Sequence, residues 1–168
     1  EDIYHADLFL VIWANPTNAH PVTGAKIKQQ VMKGKQLIVL DPITTELANL
    51  ADYHIKLRPG TNVAVLNMML HFIIKSKLYN VDFVRDRTEG FDNFLKEIER
   101  QDVDHLARVA GVDKQLVKEA AIAYATAKNS MEFHGLGVTE HEQGSKTVML
   151  IADLAMITGN IGRKGVGV

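Results

Sequence analysis

The feature that most constrains this chain is a set of short apolar runs that contain no alternating polar residues. Leu8–Trp13 and Leu37–Leu40 are the clearest examples. Turn-forming residues follow each run at once, Asn15-Pro16-Thr17-Asn18 after the first and Asp41-Pro42 after the second. A strand exposed on one face would alternate apolar and polar residues, so unbroken runs predict strands that are buried on both faces. The chain is therefore expected to build its core around a central sheet.

Helical patterns separate these predicted strands. An amphipathic helix is expected from Pro21 to a stop at Gly34, and a short helix over Thr45–Ala51. Tyr53–Leu57 is predicted to be the third strand, and a helix from about Thr61 to Lys77 follows it. This alternation of strand and helix predicts a parallel sheet with right-handed crossovers and helices packed on its faces.

No strand is expected between about residues 79 and 127. Four helices are predicted there, and Asp102 and Asp113 are placed as N-caps of two of them. A strand at Met131–His134 and a final helix at Thr147–Ile157 complete the pattern. The expected fold class is α/β, a three-layer αβα arrangement with a mostly parallel Rossmann-like sheet and a helical insertion before the last strand. We expect the whole chain to form one such domain, a fragment of a longer subunit.

Composition excludes several classes of function. The chain has no cysteine, which excludes disulfides, cysteine-ligated zinc, iron–sulfur clusters and thiolate catalysis within this segment. A formal net charge of −1 provides no field that would gather nucleic acid or anionic lipid. No apolar run approaches the roughly 20 residues of a bilayer span. We therefore expect no nucleic-acid partner and no membrane contact by this segment, and we leave the compartment open with the cytoplasm favoured.

The loops after the predicted strands are the candidate binding site. In an open parallel sheet, ligands bind beyond the carboxyl ends of the strands, where the strand order reverses. Asp41 could accept two hydrogen bonds from a ribose diol or a guanine edge there, or it could serve only as a turn former before Pro42. Gly60-Thr61-Asn62 opens a helix whose backbone N–H groups could hold a phosphate, but an ordinary helix cap has the same sequence. Both structural alternatives stay open.

Other motifs are less specific. Gly135-Leu136-Gly137 resembles half of a dinucleotide fingerprint, but Glu140 stands where the third glycine would be, and no Walker A spacing occurs. His134 and His141, with neighbouring glutamates at 140 and 142, match no standard metal-ligand spacing, so a polar loop is the favoured interpretation. The helix pair over residues 102–124 carries no basic stripe and is expected to pack on the sheet rather than bind DNA.

Six segments together form a recognisable pattern. They are Ala6–Pro21, Leu40–Asp52, Leu57–Leu66, Arg87–Phe91, Gly135–His141 and Leu154–Gly162. In these segments the chain resembles the molybdopterin oxidoreductases. This family includes formate dehydrogenases, nitrate reductases and dimethyl sulfoxide reductase. The last two segments are the most specific, and they are most similar to formate dehydrogenase large subunits. Trp13, Ala14 and Asn18 depart from the common form of the first turn, which begins with glycine, and Ile43 stands where arginine is usual.

The resemblance implies a bis(molybdopterin guanine dinucleotide) cofactor carrying Mo or W, with this chain cradling the guanosine diphosphate part of one pterin. It implies no catalytic residue and no metal ligand here, since the metal ligand and a 4Fe-4S cluster are expected outside this segment. The implied partners are the remaining domains of the same subunit and iron–sulfur or other electron-transfer subunits. The implied cofactor-binding residues are Trp13, Ala14, Asn15, Pro16, Thr17, Asn18, Asp41, Thr44, Thr45, Gly60, Thr61, Asn62, Leu136 and Glu140.

For the longer enzyme, the resemblance favours oxidation of formate to CO2, with this segment inactive alone. A nitrate reductase-like or other molybdopterin activity stays open. Met149, in the last predicted helix where we would expect a formate-binding arginine, cannot pair with a carboxylate. A non-catalytic electron-transfer subunit that retains the fold is a further alternative, although Asp41 and the intact Pro59-Gly60-Thr61 loop argue against it. A nucleotide-sensing domain would require tight binding of free nucleotide, whereas we expect at best weak guanine-nucleotide binding.

Overall fold

The computed structural model describes all residues, 1–168, and contains one four-stranded sheet. The strand order is β3-β2-β1-β4, and every neighbouring pair is parallel. The predicted α/β fold with a parallel sheet is therefore confirmed. The strands are β1 (Leu8–Ile12), β2 (Gln36–Leu40), β3 (Tyr53–Ile55) and β4 (Ser130–His134).

Nine α-helices connect and cover these strands. None of them combines the length and the apolar character needed to cross a bilayer. The helices are α1 (Pro16–Ala19), α2 (Pro21–Met32), α3 (Asn62–Lys75), α4 (Val81–Arg87), α5 (Phe91–Glu99), α6 (Val103–Ala110), α7 (Lys114–Thr126), α8 (Leu136–Thr139) and α9 (Gly144–Thr158).

The core lies on both faces of β1. Leu8, Leu10 and Ile12 point into the larger cluster, which α3, α7 and α9 cover. Phe9 and Val11 point into a smaller cluster under α2. All five residues are inaccessible to solvent, as an unbroken apolar strand requires. The sheet with a helical layer on each face gives the three layers expected from the sequence.

The helical insertion before the last strand is also confirmed. Five helices, α3 to α7, separate β3 from β4. Asp102 accepts a hydrogen bond from the His105 backbone N–H, and Asp113 accepts one from that of Gln115. Both aspartates therefore cap α6 and α7 as predicted, and Asn80 caps α4 in the same way.

Several element boundaries differ from the predicted ones. The helix expected over Thr45–Ala51 is only a 3₁₀ turn at Ala48–Leu50, because the Thr45 hydroxyl accepts a hydrogen bond from the Ala48 N–H and holds the chain in a turn. Trp13 lies outside β1, with a positive φ of 44°. The last helix begins at Gly144, one turn before Thr147, since the Gly144 N–H already bonds to the His141 carbonyl.

The segment after α9 is tied to the amino end of β4. The Asn160 side-chain oxygen accepts hydrogen bonds from the Ser130 backbone N–H and from the Arg163 guanidinium. Arg163 also donates to the carbonyl oxygens of Lys128 and Gly159. Gly159 and Asn160 belong to one of the two most specific motifs of the sequence, and their contacts are structural ones at the amino edge of the sheet.

Glu132 is a buried acid in the middle of β4. It is 2% exposed and pairs in register with Leu10, so its side chain points towards the larger cluster. Its carboxyl lies beside the Tyr124 hydroxyl, and neither group makes a hydrogen bond of normal geometry. Burial raises the pKa of Glu132 from 4.5 to about 8. The folded chain therefore keeps this side chain protonated and neutral at pH 7.

This burial predicts a specific pH dependence of stability. Between pH 6 and 7.5 the folded chain holds the Glu132 proton, whereas the unfolded chain has already lost it. The free energy of unfolding should therefore decrease as pH rises, by about 1.4 kcal/mol per pH unit and about 2 kcal/mol over this range. Glu132→Gln replaces the acid with a neutral group of the same shape and should remove this decrease. Denaturant unfolding of both chains at the two pH values measures it.

Glu119→Gln is the matched control, because Glu119 is exposed on α7 and the same change there should leave the pH dependence intact. Equal pH dependence in the wild-type and Glu132→Gln chains would show that Glu132 is already ionised in the folded state.

Candidate functional site

The strand order reverses beside β1. The chain passes from β1 to β2 on one side, and β4 pairs with β1 on the other. The loops after β1 and β4 touch: a Cβ added to Gly137 would lie 2.7 Å from Cε3 of Trp13, and one added to Gly135 would lie 3.1 Å from the Trp13 carbonyl oxygen. Glycine at 137 is thus required by this close approach, and the two loops form one wall of a crevice.

Trp13 occupies the centre of this wall. Its φ of 44° is unusual for a bulky residue. The ring packs against Gly137 and meets the ring of His141 edge to face, with centroids 5.1 Å apart. The indole Nε1 is buried and has no hydrogen-bond partner in the chain. A strained backbone and an unpartnered buried donor in one residue make Trp13 a candidate functional position.

The rest of the first loop is held by its own polar groups. The Thr17 hydroxyl donates to the Asn15 side chain at 2.7 Å, and Pro16 is buried at the start of α1. Glu46, in the loop after β2, pairs with Lys28 of α2, and this contact lowers the pKa of Glu46, with a smaller effect from Thr17. The loops after β1 and β2 are therefore linked. Asn18 is exposed.

Asp41 lies directly after β2, as predicted, and it is buried there. It is 6% exposed, and its Oδ1 accepts a hydrogen bond from the Ile43 N–H at 2.9 Å. Burial raises the pKa of Asp41, while the Ile43 hydrogen bond and nearby His54 lower it. The other carboxylate oxygen makes no hydrogen bond within the chain. Asp41 therefore stabilises the turn through Oδ1, and its second carboxylate oxygen is free to accept a hydrogen bond.

The two threonines that follow differ in position. Thr44 is exposed in the loop after β2. Thr45 is 5% exposed, and its hydroxyl is already used by the Ala48 N–H. Thr45 therefore supports the loop, whereas the Thr44 side chain is accessible.

The loop after β3 leads into the N-terminus of α3. Gly60 has a φ of +82°, which favours glycine, and it is exposed. The Thr61 hydroxyl donates to the Arg58 carbonyl at 2.6 Å and so does not cap the helix. Asn62 is 2% exposed, and its Oδ1 has no partner. The first turn of α3 therefore has unused backbone donors and an unpartnered carboxamide.

The loop after β4 places Leu136 and Glu140 at the surface, Leu136 with 68% of its area exposed. A cleft of about 120 Å³ joins this loop to the start of α3. It is lined by Gly60, Asn62, Val63, His141, Glu142, Gln143 and Thr147. The structure thus brings together the loops after β3 and β4, and those after β1 and β4.

Sequence reasoning missed two polar positions in this region. His134 ends β4, and its Nδ1 is buried without a partner. His141 contacts Trp13 and lines the cleft. Only their location at a strand end could have indicated either role. No three His, Asp or Glu side chains lie close enough to hold a metal ion.

A wider, open depression of about 670 Å³ lies between α6 and α7 beside Arg58. Apart from Arg108, its charged groups are engaged within the chain. Arg58 donates to the carbonyl oxygens of Arg108 and Val109 at the end of α6, and Lys114 pairs with Asp104. The depression contains no buried polar atom without a partner, so the crevice at the carboxyl edge is the better candidate.

Comparisons with known proteins identify the family of the chain. The family model described as molybdopterin oxidoreductase matches residues 1–168. The chain is 39% identical to the F420-dependent formate dehydrogenase subunit alpha of Methanocaldococcus jannaschii, over 100% of this chain and 25% of that protein. It is also 39% identical to formate dehydrogenase H of Escherichia coli, over 99% of this chain and 23% of that protein.

Among solved structures, acetylene hydratase from Pelobacter acetylenicus superposes with a TM-score of 0.87 and 27% identity, over 92% of this chain and 21% of that one. The chain thus spans about a quarter of the length of the proteins it matches. Its fold is that of a segment found within much larger polypeptides.

The contact between Gly137 and Trp13 predicts the effect of a single methyl group. Gly137→Ala would place a Cβ within 3.0 Å of three Trp13 atoms, so the two loops must separate, and we expect a loss of about 1–3 kcal/mol of stability. Since Trp13 is the only tryptophan, its emission should change in the folded variant. Denaturant unfolding and fluorescence measure both effects.

Gly135→Ala is the control, because its Cβ would meet nothing closer than 3.1 Å and should cost less. If Gly137→Ala were as stable as the wild-type chain, with unchanged emission, the two loops would not be in close contact.

Proposed function

Because the chain belongs to the molybdopterin oxidoreductase family, we propose that its carboxyl-edge crevice holds the guanosine diphosphate part of a bis(molybdopterin guanine dinucleotide) cofactor. The observation that carries this proposal is the group of unpartnered polar groups around the crevice. Trp13 Nε1, Asn62 Oδ1 and His134 Nδ1 are all buried without hydrogen bonds in the chain. Buried groups of this kind are rare in native proteins unless a ligand or water satisfies them.

The donor and acceptor types at the crevice suit a nucleotide. Asp41 offers one free carboxylate oxygen to the N–H or O–H groups of the guanosine, and Thr44 adds an accessible hydroxyl. The Thr61 N–H is bonded to the Arg58 carbonyl, but the backbone N–H groups of Gly60 and of the first turn of α3 from Asn62 are free, and the helix dipole favours a phosphate there. The residues of this chain therefore fit the nucleotide arm of the cofactor.

The remaining predicted positions have supporting roles in this proposal. Ala14, Asn15, Pro16 and Thr17 form the wall after β1, and Asn18 adds an exposed amide. Thr45 supports the loop that carries Asp41. Leu136 and Glu140 project from the loop after β4 and would contact the cofactor from the same wall as the loop after β1.

The cofactor, when bound, would supply two-electron chemistry at Mo or W, and this chain would bind and orient its nucleotide end. Oxidation of formate to CO2 is the activity we propose for the longer enzyme, because the relatives at 39% identity are named formate dehydrogenases. The metal ligand and a 4Fe-4S cluster would lie in the other three quarters of that polypeptide. Those domains and iron–sulfur or other electron-transfer subunits are the proposed partners.

A non-catalytic electron-transfer subunit that keeps the fold is the alternative. Elemental analysis of the longer polypeptide separates the two. We expect stoichiometric Mo or W together with released guanine nucleotide, and iron without either would support the alternative. The isolated 168-residue chain should oxidise no formate, since it contains neither metal ligand nor cluster cysteine. Formate oxidation by the isolated chain would contradict the proposal.

Asp41→Asn gives the sharpest test of the nucleotide site. The carboxamide can still accept the Ile43 hydrogen bond through its oxygen, but its NH2 replaces the free carboxylate oxygen with a donor. Losing a hydrogen bond to a buried nucleotide donor costs about 1–3 kcal/mol, so guanosine affinity of the chain should fall about 5- to 150-fold. Equilibrium binding of guanosine by nuclear magnetic resonance measures this change.

Asp52→Asn is unsuitable as a control because Asp52 accepts a hydrogen bond from the Leu37 N–H. Asp92→Asn, exposed at the start of α5, makes the same chemical change away from the crevice and should leave guanosine affinity unchanged. If guanosine affinity were unchanged in Asp41→Asn, Asp41 would have only a structural role in the turn after β2.

A further inference from the structure

A separate groove lies on the side of the sheet that carries the larger cluster. It measures about 80 Å³ and runs between the second half of α9 and the connection from α4 to α5. Part of its wall belongs to Arg87–Phe91, a segment of the sequence pattern to which the nucleotide crevice gives no role. We call it the α9 groove, and its lining residues are Thr88, Glu89, Phe91, Phe94, Asp153, Met156 and Ile157.

The walls of the α9 groove are held by contacts within the chain. The Asn80 N–H donates to the Ile157 carbonyl at 2.7 Å and fixes the start of α4 against the end of α9. The Phe91 ring packs between Tyr79 and Phe94, with centroids 5.2 and 6.3 Å away. The groove is therefore formed by the chain itself and does not have to open before a side chain enters it.

Asp153 is a half-buried carboxylate that the chain leaves without a partner in this groove. Burial raises the pKa of Asp153, and no hydrogen bond or nearby charge in the chain lowers it. The Thr88 hydroxyl already donates to the Val84 carbonyl at 2.6 Å and so does not serve Asp153. Carboxylates that are taken out of water are normally paired with a cation. A cation in the groove would therefore stabilise the ionised form of Asp153.

The lining of the groove favours a guanidinium group over other cations. Asp153 and Glu89 are the only charged residues in the lining, and both are negative. The half-buried rings of Phe91 and Phe94 provide an aromatic surface on which a planar guanidinium stacks, whereas a lysine ammonium is compact and strongly hydrated. Since one water takes roughly 30 Å³ of liquid volume, the groove admits the head of one arginine side chain.

The surface beside the groove indicates that the cation belongs to a polypeptide segment. Met149 lies one turn before Asp153 on the same face of α9, and 65% of its area is exposed. Met149, Asp153 and Met156 thus form one strip along the helix, and methionine and aromatic side chains are enriched where proteins make contact. About three quarters of the length of the matched relatives lies outside this chain.

We propose that the α9 groove is the docking site for an arginine of the longer polypeptide, whose guanidinium pairs with Asp153 and stacks on Phe91 and Phe94. This contact holds α9 and the helical insertion against another part of that polypeptide. The proposal does not depend on the nucleotide site, because the groove shares no lining residue with the cleft at the start of α3.

Amide hydrogen exchange of residues 88–94 measures whether the groove is covered. We expect these amides to exchange about tenfold more slowly in the purified longer polypeptide than in the 168-residue chain, because a docked segment restricts opening of the connection between α4 and α5. Equal exchange in the two would show an open groove and overturn the proposal. Slowing that appears only after another subunit is added would also overturn it, because the occupant would then belong to that partner.

Two substitutions of Asp153 test the charge of the occupant. In the longer polypeptide, Asp153→Asn should speed the exchange of residues 88–94 about fivefold, and Asp153→Lys should abolish the slowing because two cations then face each other. In the 168-residue chain, Asp153→Asn should leave the melting temperature unchanged or raise it by about 2–4 °C, since it removes an unpaired carboxylate. If Asp153→Lys fails to fold, Asp153→Asn decides the matter alone.

Asp86→Asn is the matched control, because Asp86 is exposed on α4 and pairs with Arg85 outside the groove. It should change the exchange of residues 88–94 less than about twofold in the longer polypeptide.

Three other outcomes would contradict the proposal. An Asp153→Asn change that destabilises the 168-residue chain and the longer polypeptide alike would make Asp153 a structural residue of α9. Slower exchange in the longer Asp153→Asn polypeptide would show that the groove holds an apolar side chain. A zero-length carbodiimide cross-link between Asp153 and a lysine would replace the guanidinium with an ammonium.

Discussion

The burial of β1 on both faces is the constraint on which the rest of the structure depends. All of its side chains are inaccessible, so helices must cover both faces and strands must pair with both edges. β2 pairs with one edge of β1. β4, which follows α3 to α7 in the chain, pairs with the other edge. Because parallel strands end at the same edge, the loops after β1 and β4 meet beside each other. The crevice is therefore a consequence of how β1 is buried.

The two edges of the sheet use their polar groups differently. At the amino edge, Asn160 and Arg163 bond to the chain around Ser130, although Gln30 Nε2, near the start of β2, is buried without a partner. At the carboxyl edge, Trp13, Asn62 and His134 each leave one unpartnered. Tyr124 and Glu132 are also unpartnered, but they lie within the layer of α7 and β4, where a neutral carboxyl avoids a buried charge. The carboxyl edge alone combines such groups with open space.

Much of the fold could be predicted from the sequence because its signals are local. Unbroken apolar runs predicted the positions of the strands. Aspartates that precede amphipathic helical patterns predicted the N-caps of α6 and α7. The burial of Asp41 could not be predicted, because it depends on how β3 packs beside β2. Glu132 lies between Met131 and Phe133, a pattern that does not distinguish an exposed residue from a buried one. The loops of the site were located by strand ends, whereas the role of His141 depends on contacts between distant segments.

Trp13 shows how the site and the fold are energetically connected. A bulky residue at positive φ costs about 1–2 kcal/mol and persists only where its surroundings leave no alternative. Those surroundings are Gly137, which lacks the Cβ that would clash, and the ring of His141. Both belong to the loop after β4, so the strain in one loop is offset by packing against the other. The relative position of the two loops is therefore fixed by the folded chain, and a nucleotide bound against this wall would not have to bring them together.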